Sequence, residues 1–214
     1  MSATAITASQ MKTVIASMCD TIEEQKEYLC DLDGAIGDGD HGVSMAIAFG
    51  LVKQKLPEWP AQDVGSLLKD VALTLTNAVG GAMGPLFGTF FLKQAVASMG
   101  KHEVNLSDLV RMFQAAEKGI RDIGKANEGD KTLLDTLAPA VRALERAERD
   151  GKPLDVALGD LETAAREGWQ STRDLVAKTG RARRLGERTI GHLDPGATSC
   201  YFVLRAYVDA VRAD

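Results

Sequence analysis

The sequence predicts an all-α fold: eight antiparallel amphipathic helices in an up-and-down barrel or bundle. Three observations predict it. Apolar residues recur at helical spacing through nearly the whole chain. No stretch alternates with period two, and β-branched residues are scattered, so no strand is expected. The links between apolar stripes are mostly short, which makes sequence neighbours antiparallel neighbours in space. With 214 residues, 45% of them hydrophobic and 26% charged, the chain is long enough to bury a sizeable core. Residues 1–214 read as one domain, with no repeat, low-complexity tract or linker to divide them.

The elements follow in order. Met11, Ile15, Met18 and Ile22 make the stripe of a first helix ending near Leu32. Met45, Ala48, Phe49, Val52 and Leu56 make a second, stopped before Pro60. Val64, Leu67, Leu68, Val71, Leu75 and Ala78 form a third, ended by Gly80 and Gly81. Phe87, Phe91, Gln94, Ala95 and Met99 give a fourth, closed by Gly100. Leu106, Leu109, Val110, Phe113, Ala116 and Ile120 give a fifth, with Asn105 or Ser107 as its cap and Gly124 near its end. The sixth is expected to start at Asp130 as N-cap and turns Leu134, Leu137, Val141 and Leu144 inward. The seventh opens with Pro153 in its first turn and runs from Leu154 through Leu161 and Trp169 to Val176. The eighth begins at Asp194-Pro195 and carries Phe202, Val203, Ala206 and Tyr207. These stripes read as core, and no cofactor is attached to them.

Composition excludes several functions. A net charge of −5 gives no footprint for nucleic acid. No apolar run approaches the ~20 residues a membrane helix needs. Residues 1–13 lack a basic and an apolar region, so no leader is expected. Cys19, Cys30 and Cys200 are an odd number without C-x-x-C spacing, which reads as reduced thiols in a cytoplasmic protein.

The most informative stretch is Gly37-Asp38-Gly39-Asp40-His41-Gly42, with Asp33 one helical turn before it. Two bare carboxylates ~5 Å apart repel by about 3 kcal/mol at an effective dielectric of ~20. Crowding three of them calls for a cation, and oxygen-only ligands suit Mg2+, Mn2+ or Ca2+ rather than Zn2+. A dinucleotide fingerprint fits the glycine spacing, but residues 29–36 contain no β-branched run to supply the strand it requires. An EF-hand fails as well. Starting it at Asp31, Asp33 or Asp38 places Gly42, Ser44 or Phe49 where a bidentate Glu is needed. Two readings stay open: a solvated turn, and a Mg2+ site completed by a polyphosphate that the N–H groups of residues 39–43 face at a helix start.

The remaining glycines and charges fall in loops 80–84, 124–130 and 179–194. In an alternating helix array these loops share one end with loop 33–42, so a single site built from four loops is geometrically possible. Gly80 to Pro85 leads into a helix whose N-terminus offers partial positive charge; a flexible turn is the plainer alternative. The segment Gly124 to Thr132 resembles a P-loop but has one residue too many before Lys131, and it follows a helix. Lys131 and Thr132, at a helix start, could still face an anion. The loop 179–194, at about fifteen residues, is of a length that is usually functional or disordered. It carries Arg181, Arg183, Arg184 and Arg188, either a solvated basic patch or a lid that neutralises phosphate charge.

Four motifs, in this order and spread over essentially the whole chain, resemble the nucleotide-binding L subunit of dihydroxyacetone kinases. They are Asp33 with Asp38-Gly39-Asp40-His41-Gly42; the run Gly81-Ala82-Met83-Gly84-Pro85-Leu86-Phe87-Gly88-Thr89; Gly129-Asp130-Lys131-Thr132 with Asp135; and Gly180-Arg181-Ala182 to Arg188 with Gly191-His192 and Asp194-Pro195-Gly196-Ala197-Thr198-Ser199. The resemblance implies an eight-helix barrel with ADP or ATP at one end and two Mg2+ ions held by Asp33, Asp38 and Asp40. It implies nucleotide contacts from His41, Gly42, Ser44, Ala82, Met83, Gly124, Thr132, Leu133, Arg181, Asp194, Pro195 and Gly196. It further implies a separate K subunit that binds the ketose through a histidine. Two positions depart from the family's pattern: Met83 stands where Ser or Thr is usual, leaving only backbone N–H groups for a phosphate there, and Leu193 replaces the commoner Gln.

Phosphoryl transfer asks a protein mainly for positioning and charge neutralisation. Arg181 is the residue expected to stabilise charge as the phosphoryl group leaves. His41 is a phosphate contact before it is an acid or base. No general base need lie in this chain, because the acceptor hydroxyl belongs to the partner's substrate. The reading is thus a phosphotransferase subunit acting on dihydroxyacetone or a tetrulose, in one of two variants. Either ATP exchanges freely, or ADP stays bound and is rephosphorylated by a phosphocarrier of the phosphotransferase system. A reading of another class is a helical regulatory module in which a metal only staples the loop.

Overall fold

The computed structural model describes residues 4–213; residues 1–3 of the segment read for a leader, and both ends of the 1–214 span, lie outside the described residues. The chain forms β1 (Ala5–Thr7), α1 (Ala8–Glu24), α2 (Lys26–Ile36), α3 (His41–Lys55), α4 (Val64–Ala78), α5 (Met83–Ser98), β2 (Glu103–Asn105), α6 (Leu106–Gly124), α7 (Leu133–Arg149), α8 (Leu154–Ser171) and α9 (Pro195–Ala213). Short 3-10 turns occupy Leu56–Glu58, Thr172–Asp174 and Ala182–Thr189. Helix α3 packs on α1 and α4, each helix from α4 to α8 packs on the next, and α9 closes the ring against α8 and α1. The fold is therefore the all-α, up-and-down barrel that periodicity predicts. Among the described residues no helix is long and apolar enough to cross a membrane.

The barrel is filled rather than hollow. Edge-on aromatic contacts run across it from Phe49 of α3 to Phe87 of α5 (6.1 Å between centroids), from Phe90 of α5 to Phe113 of α6 (6.0 Å), and from Phe113 to Tyr207 of α9 (6.0 Å). Such pairs add to the area term that drives burial of each ring. Trp169 of α8 stacks flat on Tyr201 of α9 at 4.5 Å and donates its indole N–H to Thr198 Oγ1 at 2.8 Å.

Several boundaries differ from the sequence reading. The predicted first helix is two, bent at Gln25 (ψ 6°), where the N–H still reaches Thr21 O at 3.0 Å. The buried stripe runs through the bend at Ile22, Leu29 and Ile36, seven residues apart. A two-stranded antiparallel sheet exists where no strand was expected, pairing Ile6 with Val104. Both residues are fully buried, but three-residue strands are too short to display alternation.

The caps explain the other shifts. Thr7 with Gln10, Asn105 with Asp108, and Thr132 with Asp135 form reciprocal capping boxes for α1, α6 and α7. Asp130, expected to cap α7, instead accepts the Asn127 N–H at 2.8 Å in the preceding turn. Pro153 is the residue before α8 rather than in its first turn, and α8 stops at Ser171, so Val176 lies beyond it.

Helices α3, α5, α7 and α9 all start at the same end of the barrel. Helix α5 then carries the chain 16 residues, about 24 Å at 1.5 Å per residue, to the end where β1 and β2 pair.

Candidate functional site

A cleft of about 560 Å3 opens where the four helix starts converge. Asp33 lies in the last turn of α2, and Asp38 and Asp40 lie in the connection to α3. One carboxylate oxygen from each of the three lies within 4.8 Å of the other two. The local backbone enforces this crowding. Asp33 Oδ2 accepts the N–H of Asp40 at 3.0 Å and of His41 at 3.2 Å, so it caps α3 from the previous helix. Gly39 holds φ at +75° in the turn between them, a conformation that suits glycine.

The electrostatics are those of a site short of positive charge. Partial burial, then the neighbouring Asp38 carboxylate, raise the Asp40 pKa, while Arg181 opposes the rise. Arg181 forms an ion pair with Asp38 and lies 3.8 Å from Asp40. Its guanidinium thus already serves as a cation for the cluster. His41 is held by Ser199 Oγ at 3.0 Å from its Nε2, and burial lowers its pKa, which favours the neutral ring.

The other lining residues come from the remaining helix starts. Ala82 and Met83 begin α5, Thr132 and Leu133 begin α7, and Asp194, Pro195 and Gly196 begin α9; all line the cleft, as does Ser44. Helix α7 is capped by Thr132 and α9 by Asp194, whose Oδ2 accepts the Ala197 N–H at 2.7 Å. Helix α5 has no side-chain cap, so its first N–H groups are free to face an anion. The Asp194 carboxyl is half-buried at the cleft wall, and burial foremost, with Asp135 adding to it, raises its pKa to about 7.

Two residues placed at the site from sequence lie just outside its surface. Gly42 is buried against α2, where a Cβ would stand 2.1 Å from Lys26 O; its role is to let α3 start so close to α2. Gly124 ends α6, with the nearest neighbour for a Cβ being Leu86 Cδ2 at 3.7 Å, a side chain that itself lines the cleft. Conversely, sequence reasoning missed Ile36, Leu86 and Phe87 as an apolar wall of the same cleft. Their membership in ordinary core stripes hides them.

The architecture and this mouth define a helical-barrel domain that gathers three carboxylates and four helix N-termini at one end. Residues 35–209 match the family model described as the DAK2 domain, and the chain belongs to that family. It is 42% identical over 186 residues to the PEP-dependent dihydroxyacetone kinase, ADP-binding subunit DhaL, of Escherichia coli K12, covering 87% of this chain and 89% of that one. It is 39% identical over 201 residues to the corresponding subunit of the Listeria innocua kinase 2, covering 93% of each. The fold matches the dihydroxyacetone kinase of C. freundii in complex with AMP-PNP and Mg2+ with a TM-score of 0.70, at 24% identity, over 92% of this chain and 33% of that one.

Proposed function

We propose that this chain is the nucleotide-binding subunit of a phosphotransferase that delivers a phosphoryl group to a short ketose, dihydroxyacetone or a tetrulose, held by a separate K subunit. The observation that carries the proposal is the carboxylate triad, within 4.8 Å, set among four helix N-termini in a chain 42% identical to an ADP-binding subunit. Relatives named for the PEP- and PTS-dependent kinases favour the variant in which ADP stays bound and a phosphocarrier recharges it. Residues 1–214 act as one cytoplasmic domain in this reading.

The donor set fits Mg2+: it is all carboxylate oxygen, and Arg181 already stands against it as a cation. Asp33, Asp38 and Asp40 would hold two ions. Bound magnesium would neutralise phosphate oxygens and so lower the barrier to transfer. The chain's own residues do the rest. The uncapped start of α5 at Met83 presents N–H groups to phosphate, and the side chains of His41 and Ser44, at the start of α3, line the cleft beside them. Thr132, Leu133, Pro195 and Gly196 shape the opposite wall. Arg181 exchanges its carboxylate partners for phosphate oxygens and stabilises the charge that grows on the leaving bridge.

Isothermal titration with ADP in the presence and absence of Mg2+ tests the assignment, with Mg2+-dependent binding expected. Metal binding without nucleotide affinity would point instead to a non-catalytic module. Incubation with a K subunit, ketose and ATP alone separates the two kinase variants: turnover without any carrier protein would exclude the resident-ADP form.

A further inference from the structure

Lys131 is the residue that the anion reading left unexplained. It adopts a left-handed backbone conformation, φ +61°, one of two non-glycine residues to do so among those described. Its side chain is buried, the residue 2% exposed. Nζ donates to the carbonyl oxygens of Thr172 (2.7 Å), Leu175 (3.1 Å), Thr189 (2.6 Å) and His192 (2.6 Å). An ammonium has three N–H groups, so four acceptors leave none for a phosphate. The carboxylates of Asp194, Asp174 and Asp135 surround it at longer range, offsetting a charge that is expensive to bury.

The four carbonyls fall in two pairs that bracket residues 176–188. That bracketed strap carries Arg181 to the carboxylates on the other side of the cleft. Further bonds close the same base. Thr189 Oγ1 accepts the Ala177 N–H at 3.0 Å, and the Gly191 N–H reaches Arg173 O at 2.8 Å. Lys178 bonds Asp130 through its backbone N–H at 3.1 Å and pairs with it through Nζ at 3.0 Å. Lys131 is also covalently next to Thr132, the cap of α7 that lines the cleft. One ammonium therefore ties the floor of the site to both roots of the strap that roofs it.

We propose that Lys131 is a positioning residue, which fixes the strap so that Arg181 reaches the nucleotide phosphates without Lys131 touching them. The inference rests on the function proposed above, since it needs Arg181 to act on a bound nucleotide.

The test is a double-mutant cycle on the full chain, reading Mg2+-dependent ADP affinity by titration calorimetry and amide exchange of residues 176–191 by mass spectrometry. Arg181→Ala is expected to weaken ADP binding about tenfold, the worth of a hydrogen bond to a charged group. Lys131→Met should weaken it by a similar factor and speed exchange in the strap, which Arg181→Ala should not. In the double variant the affinity should match Arg181→Ala alone to within about twofold, because coupled residues do not add. Should Lys131→Met fail to fold, Thr189→Val loosens the same base and is held to the same non-additivity. Full additivity with Arg181→Ala, or unchanged strap exchange, would overturn the proposal. Absence of ADP binding by the parent chain, or full affinity in Arg181→Ala, would instead overturn the functional reading beneath it.

Discussion

At the scale of single residues the site is a problem in charge. Asp38→Asn removes one of three crowded carboxylates and one partner of Arg181. It is expected to abolish Mg2+-dependent ADP binding in calorimetry while changing the thermal midpoint little, since exposed substitutions usually stay within about 0.5 kcal/mol. Normal affinity in that variant would make the metal assignment wrong. Asp194 gives a pH dependence of definite sign. Burial raises its pKa to about 7 in the folded state, against roughly 3.9 in an unfolded chain. The folded state therefore holds a proton that the unfolded state has lost. This group's contribution is favourable below about pH 4 and is lost as pH rises toward 7. Urea unfolding at pH 5 and pH 8 should show Asp194→Asn flattening that decline.

How legible a residue was depended on where its partners lie. Asp33, Asp38 and Asp40 fall within eight positions of one another, so their crowding could be read directly. Arg181 was one of four arginines in its loop, and only the family resemblance singled it out. The work of Lys131 was hidden, because its acceptors are backbone carbonyls 41 to 61 positions away and carbonyls carry no sequence signal. Gly42 stands in the acidic motif that the resemblance assigns to the nucleotide, and its Cα packs on the backbone of α2, a contact that no spacing in the sequence announces.

Among the elements, the helices whose apolar stripes are regular were legible, and the exceptions have local causes. The bend at Gln25 contains neither Gly nor Pro to announce it. It falls one residue before Lys26, the residue whose carbonyl Gly42 approaches. Gly42→Ala should therefore cost about 1–3 kcal/mol through overpacking between α2 and α3. Gly50, in the same helix with nothing within 4 Å of its Cβ position, is the control. Gly50→Ala should stabilise by about 0.4–1 kcal/mol, by lowering the entropy of the unfolded chain. Denaturant midpoints of the two variants should move in opposite directions. If both fell alike, the close approach of α2 and α3 would not be the cause.

For the whole molecule, the ring order followed from short links and stripes, whereas the cleft wall did not, since Ile36, Leu86 and Phe87 serve core and cleft at once. Phe113 touches Phe90 and Tyr207 across the interior and lies away from the mouth. Phe113→Ala should cost about 3–5 kcal/mol of unfolding free energy and leave ADP affinity in the surviving folded fraction unchanged. A saturating ligand at a hundred times its dissociation constant should restore about 2.7 kcal/mol of that loss by mass action, readable as a rise in the thermal midpoint.

The little β1–β2 clasp has a consequence for motion. It buttons together the far rim, where Ile6 and Val104 are wholly buried, while the near rim is roofed by a strap held at its two roots by Lys131 and built between them of exposed 3-10 turns. Local openings of lowest free energy belong to regions with few buried apolar contacts, so the molecule should loosen first along the exposed middle of the strap, like a cup whose lid lifts between two fixed hinges. Cargo would then come and go through transient lifting of that lid, with the buttoned base keeping the helices in register throughout.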